Sequence, residues 1–249
     1  MPLLRRSPDP ASPAHLRVLV AGEPVDIALR RSDRARRMTL RIKPGSGDVV
    51  LTLPRRADLA LARRFAERQT SWLETRLRRV QARIPFMPGA MIPLRGVPHR
   101  LVSLGGRGLT RAARDETGAP VIVVGGAAEH CARRLTDFLK REARADFEAA
   151  VARHAARLGV SIARVQVKDT TSRWGSCSSS GALAFSWRLI LAPPSVLDYL
   201  AAHEVAHRRE MNHGAAFWRH TRMLAPHTDE AEAWLKANGA GLHRYGGAP

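Results

Sequence analysis

Five residues near position 205 combine side chains that can hold a metal ion with one that can move a proton. His203-Glu204-Val205-Ala206-His207 places two histidines four residues apart, in a stretch whose apolar residues recur at helical spacing. On a helix both imidazoles project from one face, about 6 Å apart at Cβ, which suits two corners of a tetrahedral zinc site. Glu204, rotated by about 100° from His203, is placed to act as a general base. The spacing predicts a metal-dependent hydrolytic site.

A third histidine lies ten residues after His203, just beyond the expected end of this helix. We predict His213 as the third metal ligand, with Asn212 taking the left-handed conformation that turns the chain back. The spacing is similar to that of the metzincin proteases, but Glu210 stands where they have glycine and no methionine turn follows. That difference excludes the metzincin family and leaves the third histidine in place.

Other residues remain as alternatives for the third ligand. His220 and His227 follow His213, and His220 is expected on the next helix beside two aromatic residues. Glu210 offers a carboxylate, but it stands too close to His207 to turn inward with it. The predicted cofactor is Zn²⁺, although imidazole ligands also suit other divalent transition metals such as nickel, copper and iron.

The remaining composition narrows the class of protein. With 249 residues, of which 45% are hydrophobic, the chain can bury a substantial core. Cys131 and Cys177 form neither a disulfide framework nor a CxxC metal site. The sequence contains no phosphate-binding loop motif and no apolar run of about 18 residues that would span a bilayer. We therefore expect no membrane association and a cytoplasmic location.

The positive charge is concentrated in the first half of the chain. The formal net charge is +19, with 24 Lys/Arg against 10 Asp/Glu in residues 1–125 and 17 against 12 in the remainder. This asymmetry indicates nucleic acid as a possible partner of the N-terminal half. The alternative is compositional, because 37 of the 41 basic residues are arginine, as a GC-rich genome encodes on ordinary solvated surface.

The hydrophobic pattern predicts an α+β protein. Residues 1–13 are expected to be a disordered tail, and residues 14–126 a β-rich N-terminal region with a long basic helix over 57–83. Residues 127–249 are expected to form the catalytic region, beginning with a second long helix that ends at Gly159. We find no internal repeat in the sequence.

The C-terminal motifs resemble those of the YgjP-type metal-dependent hydrolases. The matching stretches are Arg173-Trp174-Gly175-Ser176-Cys177-Ser178, Phe185-Ser186-Trp187-Arg188-Leu189-Ile190-Leu191-Ala192-Pro193, Asp198-Tyr199, the HExxH segment, Met211-Asn212-His213-Gly214 and Phe217-Trp218. This resemblance implies a zincin-like core, in which a small sheet packs on the HExxH helix. It also implies His203, His207 and His213 as metal ligands and Glu204 as the catalytic base.

The resemblance further implies that Trp174, Gly175 and Ser176 run beside the substrate cleft. They would form an edge strand that aligns an extended substrate through backbone hydrogen bonds. The alternative is a tight turn that packs the indole under the metal-bearing helix.

Three functions follow as hypotheses. The first is a zinc-dependent metallopeptidase acting on a polypeptide, and it gains from a distant similarity to the SprT and WLM metalloproteases, which act on proteins crosslinked to DNA. The second is a nucleotide pyrophosphatase or phosphohydrolase using the same metal site. The third is a nucleic-acid-binding module with a structural zinc. The oligomeric state is left open.

Overall fold

The computed structural model describes residues 15–43, 47–78, 82–106 and 108–246. The predicted tail over residues 1–13 lies outside the described residues. The strands are β1 (His15–Val20), β2 (Glu23–Ser32), β3 (Thr39–Ile42), β4 (Val49–Pro54), β5 (Met91–Leu94), β6 (Val97–Ser103), β7 (Arg111–Arg114), β8 (Pro120–Val124), β9 (Arg164–Lys168), β10 (Gly175–Cys177) and β11 (Ala182–Ser186). The helices are α1 (Leu59–Glu67), α2 (Thr70–Leu77), α3 (Cys131–Leu158), α4 (Pro194–Ala206), α5 (Ala215–Leu224) and α6 (Thr228–Leu242). The fold is thus a mixed α+β fold, as predicted.

The chain forms two compact units that divide between residues 81 and 82. The sequence pattern places the division between residues 126 and 127, whereas the two compact units divide after residue 81. Ile92, Leu101 and Ile122, from the second group of strands, are buried in the same hydrophobic cluster as Leu135 and Phe138 of α3. Burial against α3 makes this sheet part of the second unit, although the sequence places it next to the first.

The first unit is a four-stranded sheet covered by two helices. Its strand order is β1-β2-β4-β3, with β2 and β4 parallel and the outer pairs antiparallel. Every second residue of β1 is buried, which gives the alternation of a strand with one face in a core. Ala21 and Gly22, with φ of 52° and 87°, form the tight turn between β1 and β2.

The long helix predicted over residues 57–83 is interrupted. α1 ends at Glu67, and Gln69, with φ of −101° and ψ of 10°, separates it from α2. The amide of Gln69 donates to the carbonyl of Ala66 at 3.0 Å, an i→i−3 bond that tightens the last turn and ends the helix. No glycine or proline marks the break, and residues 79–81 lie outside the described residues.

The second unit begins with a sheet of the same topology as the first. Its order is β5-β6-β8-β7, again with a parallel central pair and antiparallel outer pairs. The structure thus contains a repeated sheet topology that we did not find in the sequence. The same strand pairing requires only backbone hydrogen bonds and side chains that alternate between the two faces. Many different sequences meet these requirements, so the repeat leaves no clear pattern in the sequence.

The remaining elements of the second unit surround α3 and α4. α3 follows a short 3₁₀ helix over Ala128–His130 and ends at Gly159, whose φ of 66° is the predicted left-handed cap. A third sheet has the order β10-β11-β9, and a second 3₁₀ helix, Trp187–Leu191, leads into α4. Within the described ranges, no helix has both the length and the apolarity needed to cross a membrane.

Candidate metal centre

The HExxH residues occupy the end of α4, a helix whose side chains are buried on nearly every side. Pro194 begins the helix at the position where a missing amide proton costs nothing. The helix ends at Ala206, and His207 is its C-cap, so the two histidines span the last turn. The amide of His207 still donates to the carbonyl of His203 at 3.3 Å, which keeps both imidazoles on one face.

The chain then turns back and brings a third imidazole to the same place. Nε2 of His213 lies 3.2 Å from Nε2 of His203, and one ring nitrogen from each of His203, His207 and His213 falls within 4.8 Å of the others. Asn212 does not adopt the expected left-handed conformation; among the described residues only Ala21 and Arg95 do so without being glycine. Successive tight turns after Ala206, and the start of α5 at Ala215, redirect the chain instead.

The three imidazoles fit a divalent transition metal ion. Zinc–nitrogen bonds of 2.0–2.1 Å at tetrahedral angles separate two ligand nitrogens by about 3.3 Å, close to the distance between His203 and His213. Burial, together with the neighbouring His207 and His213, lowers the pKa of His203 to about 4. Burial also lowers the pKa of His207. Both rings are therefore neutral near pH 7 and offer a lone pair.

Two contacts orient the histidine rings. The carbonyl of Glu210 lies 3.0 Å from Nδ1 of His207, and a proton on Nδ1 donated to it leaves Nε2 free for a metal. On the other ring, Nδ1 of His203 lies 3.4 Å from the hydroxyl of Tyr199, which itself donates to Oε1 of Glu232 at 2.8 Å. Neither Tyr199 nor Glu232 is among the site residues predicted from the sequence. The spacing of four residues between Tyr199 and His203 was the available signal for the tyrosine, whereas nothing in the sequence connects Glu232 to the site.

Glu204 lies beside the three histidines and is almost entirely buried, with 4% of its surface exposed. Its Oε2 has no hydrogen-bond partner in the described part of the chain. Burial raises the pKa of Glu204 to about 7, against a smaller opposing effect of the positive charge on Arg173. A buried carboxyl group with a free oxygen and a pKa near neutrality can both accept and return a proton.

Gly175 makes room for this carboxylate. A Cβ atom at position 175 would lie 2.9 Å from Cδ of Glu204 and would collide with Oε1. Gly175 and Ser176 belong to β10, an edge strand that pairs only with β11 among the described strands. Trp174 instead stacks on His243, with ring centroids 4.9 Å apart. Of the three residues predicted to line the cleft, Trp174 thus packs against the end of α6, whereas Gly175 and Ser176 lie on an edge strand, which contacts Glu204 at Gly175.

Two cavities adjoin this segment. The larger, of about 590 Å³, is lined by Trp174, Tyr199, Asp229, Glu232, Ala233, Leu235 and Lys236. The smaller, of about 210 Å³, is lined by Lys168, Thr170, Arg173, Gly175, Ser176 and Ala184. The larger cavity includes Tyr199 in its lining and the smaller one includes Arg173, so the two adjoin different parts of the segment Trp174-Gly175-Ser176.

The alternative ligands lie elsewhere. Nε2 of His227 is 3.0 Å from the carbonyl of Ser195 and 3.4 Å from Asp198. Glu210 contributes a backbone carbonyl, and His220 is not part of the histidine cluster. Burial raises the pKa of Cys177, aided by the charge of Glu204, which opposes formation of a reactive thiolate.

Comparison with known proteins places the chain in a family. The family model of the YgjP-like metallopeptidase domain matches residues 36–238. The chain belongs to the YgjP-like family. The predicted resemblance is confirmed, and family membership supports a metal-dependent hydrolase.

Other comparisons add little. No curated protein matches the chain. Among solved structures, the chain is similar to the crystal structure of the metallopeptidase zymogen of Pyrococcus abyssi abylysin, with 18% identity and a TM-score of 0.34. That similarity covers 36% of this chain and 92% of the other, and at this TM-score it carries no argument about function.

Proposed function

We propose that this chain is a zinc-dependent metallopeptidase of zincin-like construction, in which Glu204 is the general base. The observation that carries the proposal is the buried, unpartnered Oε2 of Glu204 on the residue that follows His203, one of three converging imidazoles. A carboxylate left without a partner in a buried position lowers stability, so its retention beside a metal-type donor set indicates a role in the reaction.

His203, His207 and His213 are the residues that would hold the metal. Three imidazole ligands leave a fourth tetrahedral position open, as catalytic zinc sites require. When bound, zinc supplies a Lewis acid that polarises a carbonyl oxygen and acidifies water.

Glu204 performs the proton transfers in this proposal. Its Oε2 accepts a proton from the water that attacks the peptide carbonyl, and the resulting carboxyl group donates that proton to the leaving nitrogen. Burial raises the carboxyl pKa to about 7 in the metal-free protein, and a bound cation would lower it towards the ionised form that accepts the proton. The buried surroundings keep other water away from the proton.

The unpaired edge of β10 favours an extended peptide as substrate. A strand with one free edge offers backbone donors and acceptors in the spacing that a peptide backbone matches. Because Gly175 of this strand touches Glu204, a peptide aligned on β10 would pass beside the base.

The test is hydrolysis by the zinc-loaded protein of an unfolded polypeptide, with nucleoside triphosphates assayed in parallel. We expect new amino termini, a loss of activity on the order of 100-fold or more in Glu204→Gln, and no loss of bound zinc. Glu148→Gln, the same change at an exposed position of α3, serves as the control and retains activity. Cleavage of triphosphates alone, abolished in Glu204→Gln, contradicts the peptidase proposal.

One observation favours a nucleotide substrate as the second candidate. Lys168 and Arg173 line the smaller cavity next to Gly175, and neither is in an ion pair among the described residues. Two such cations beside a metal centre suit a phosphate group. The parallel triphosphate assay separates this candidate from the first. A nucleic-acid-binding module with a structural zinc is separated by the same assays, because such a module would hydrolyse neither the polypeptide nor the triphosphates.

A further inference from the structure

The larger cavity beside the metal centre has features of a side-chain subsite. Trp174, Leu235 and Ala233 give it an apolar wall. Its charged residues are Glu232, Lys236 and Asp229, of which Asp229 is paired with Arg222 at 2.9 Å. At about 590 Å³ it has room for a long side chain. It opens between α6 and the turn of α4 that carries Tyr199.

Two shared residues connect this cavity to the reacting groups. Tyr199 lines the cavity, and its hydroxyl is 3.4 Å from Nδ1 of His203. Trp174 also lines the cavity and immediately precedes Gly175, which contacts Glu204. A peptide held on β10 beside Glu204 therefore has a neighbouring side chain within reach of the cavity.

The charge of the cavity wall is negative where it meets the metal centre. Glu232 accepts a hydrogen bond from Tyr199 through Oε1, while its Oε2 has no hydrogen-bond or ion-pair partner among the described residues. Lys236, four residues further along α6, forms no ion pair with Glu232 in the described structure. Burial, then the hydrogen bond to Glu232 and the negative charges of Glu232, Glu204 and Asp229, raise the pKa of Tyr199.

We propose that this cavity is a specificity subsite that binds a lysine or arginine side chain of the peptide substrate, with Glu232 as the residue that recognises the cation. This inference rests on the proposed peptidase function and names its substrate class. The apolar wall would hold the methylene groups of such a side chain, and Oε2 of Glu232 would accept hydrogen bonds from its charged end. The chain as a whole carries a charge of +19, which repels cationic peptides, so a preference for them must come from a local site.

The test compares peptides that differ at one position, where lysine is replaced by norleucine. One such pair of peptides, with lysine or norleucine, is made for each successive position on both sides of the cleaved bond. At one position we expect kcat/KM to favour lysine by about five- to tenfold, as a partly exposed ion pair with charge-assisted hydrogen bonds allows. In Glu232→Gln the preference falls to about onefold, and the ratio of kcat/KM for the two peptides is the readout because any effect that acts through Tyr199 and His203 cancels in it.

The norleucine peptide separates recognition from a merely structural role. If Glu232 acted only by holding Tyr199 and His203, Glu232→Gln would lower kcat/KM for both peptides equally, and that result overturns the subsite. Equal cleavage of lysine and norleucine peptides at every position by the unmodified protein also overturns it, and leaves the peptidase function standing.

A binding measurement keeps the two proposals distinguishable. Fluorescence anisotropy of the same labelled peptides with the zinc-loaded Glu204→Gln protein reports recognition without cleavage. One outcome is that the unmodified protein hydrolyses no peptide, while Glu204→Gln binds lysine peptides more tightly than norleucine peptides and the added Glu232→Gln change removes that difference. In that case the subsite stands and the peptidase function fails. Absence of a difference in binding overturns the subsite.

Discussion

Glu204 and Gly175 occupy adjoining space at the end of α4 and the start of β10. The carboxylate fills the volume in which any side chain at position 175 would begin. The backbone of Gly175 is not in the left-handed region, so the restriction at this position is one of volume rather than of backbone conformation. Replacement of this glycine therefore acts on the orientation of Glu204.

We expect Gly175→Ala to lower hydrolysis on the order of 100-fold, because the displaced carboxylate no longer reaches the attacking water. The zinc content, measured by mass spectrometry, should not change, since the three atoms nearest a Cβ at position 175 all belong to Glu204. Gly106→Ala is the matched control, because a Cβ atom at Gly106 meets nothing within 4 Å. Full activity in Gly175→Ala would show that the position of Glu204 does not matter.

Tyr199 acts on the metal centre through His203. Tyr199→Phe removes the hydroxyl that lies 3.4 Å from Nδ1 of His203, so the ring loses the partner that selects its tautomer. We expect zinc affinity to fall about tenfold, as measured by competition with a chelator. Tyr245→Phe, at the other tyrosine of the chain, should leave the affinity unchanged. Equal affinities in the two variants would exclude an orienting role for Tyr199.

At the scale of elements, one carboxylate joins α3 to α4. Asp198 accepts hydrogen bonds from Arg153 at 3.0 Å and from His154 at 2.9 Å, both on α3, and His227 lies 3.4 Å away. Burial raises the pKa of Asp198, but its hydrogen bonds with His154 and Arg153 and its electrostatic interactions with His154 and His227 outweigh burial and hold the pKa below its usual value. The ionised form is thus favoured by the folded state.

The stability that Asp198 provides should depend on pH. Folding lowers the pKa of this carboxyl group. Its contribution to the free energy of unfolding is fully present above the unfolded pKa of about 3.9 and is lost as pH falls through the folded pKa. We expect Asp198→Asn to lower the free energy of unfolding by about 2 kcal/mol at pH 7, with the difference shrinking below about pH 4. Urea unfolding over this pH range measures it. Asp137→Asn, at an exposed position of α3, is the control, and a pH-independent difference for Asp198→Asn would contradict the account.

Local patterns account for the elements that could be predicted from the sequence. The hydrophobic pattern predicted a β-rich N-terminal region, and apolar spacing with Gly159 predicted most of α3 and its end. The position of His203, Glu204 and His207 on one helix follows from their spacing, and His213 follows from a short turn. These features depend on residues near each other in the chain.

The features that sequence reasoning missed depend on contacts between distant residues or on breaks without a signal. The boundary between the units follows from packing of Ile92 and Ile122 against α3. The contact of Tyr199 with Glu232 joins residues 33 positions apart. The interruption at Gln69 occurs without glycine or proline, the residues that usually mark one.

At the scale of the whole molecule, the net charge of +19 predicts an interaction that is independent of the metal centre. We expect weak binding to single-stranded DNA that is insensitive to sequence and decreases steeply with salt, because arginines displace counterions from phosphates. Fluorescence anisotropy from low to physiological salt measures it, with Glu204→Gln as a control that binds equally well. Affinity that stays constant as salt rises would contradict an electrostatic origin.

The central claim is that three histidines form one metal site, and metal content tests it most directly. Mass spectrometry of the purified protein after exposure to zinc and removal of free ions should give one zinc per chain. His213→Ala should lose most of this zinc, whereas His220→Ala should retain it. A protein that stays free of metal when zinc is supplied, or a His213→Ala variant with full occupancy, would contradict the account.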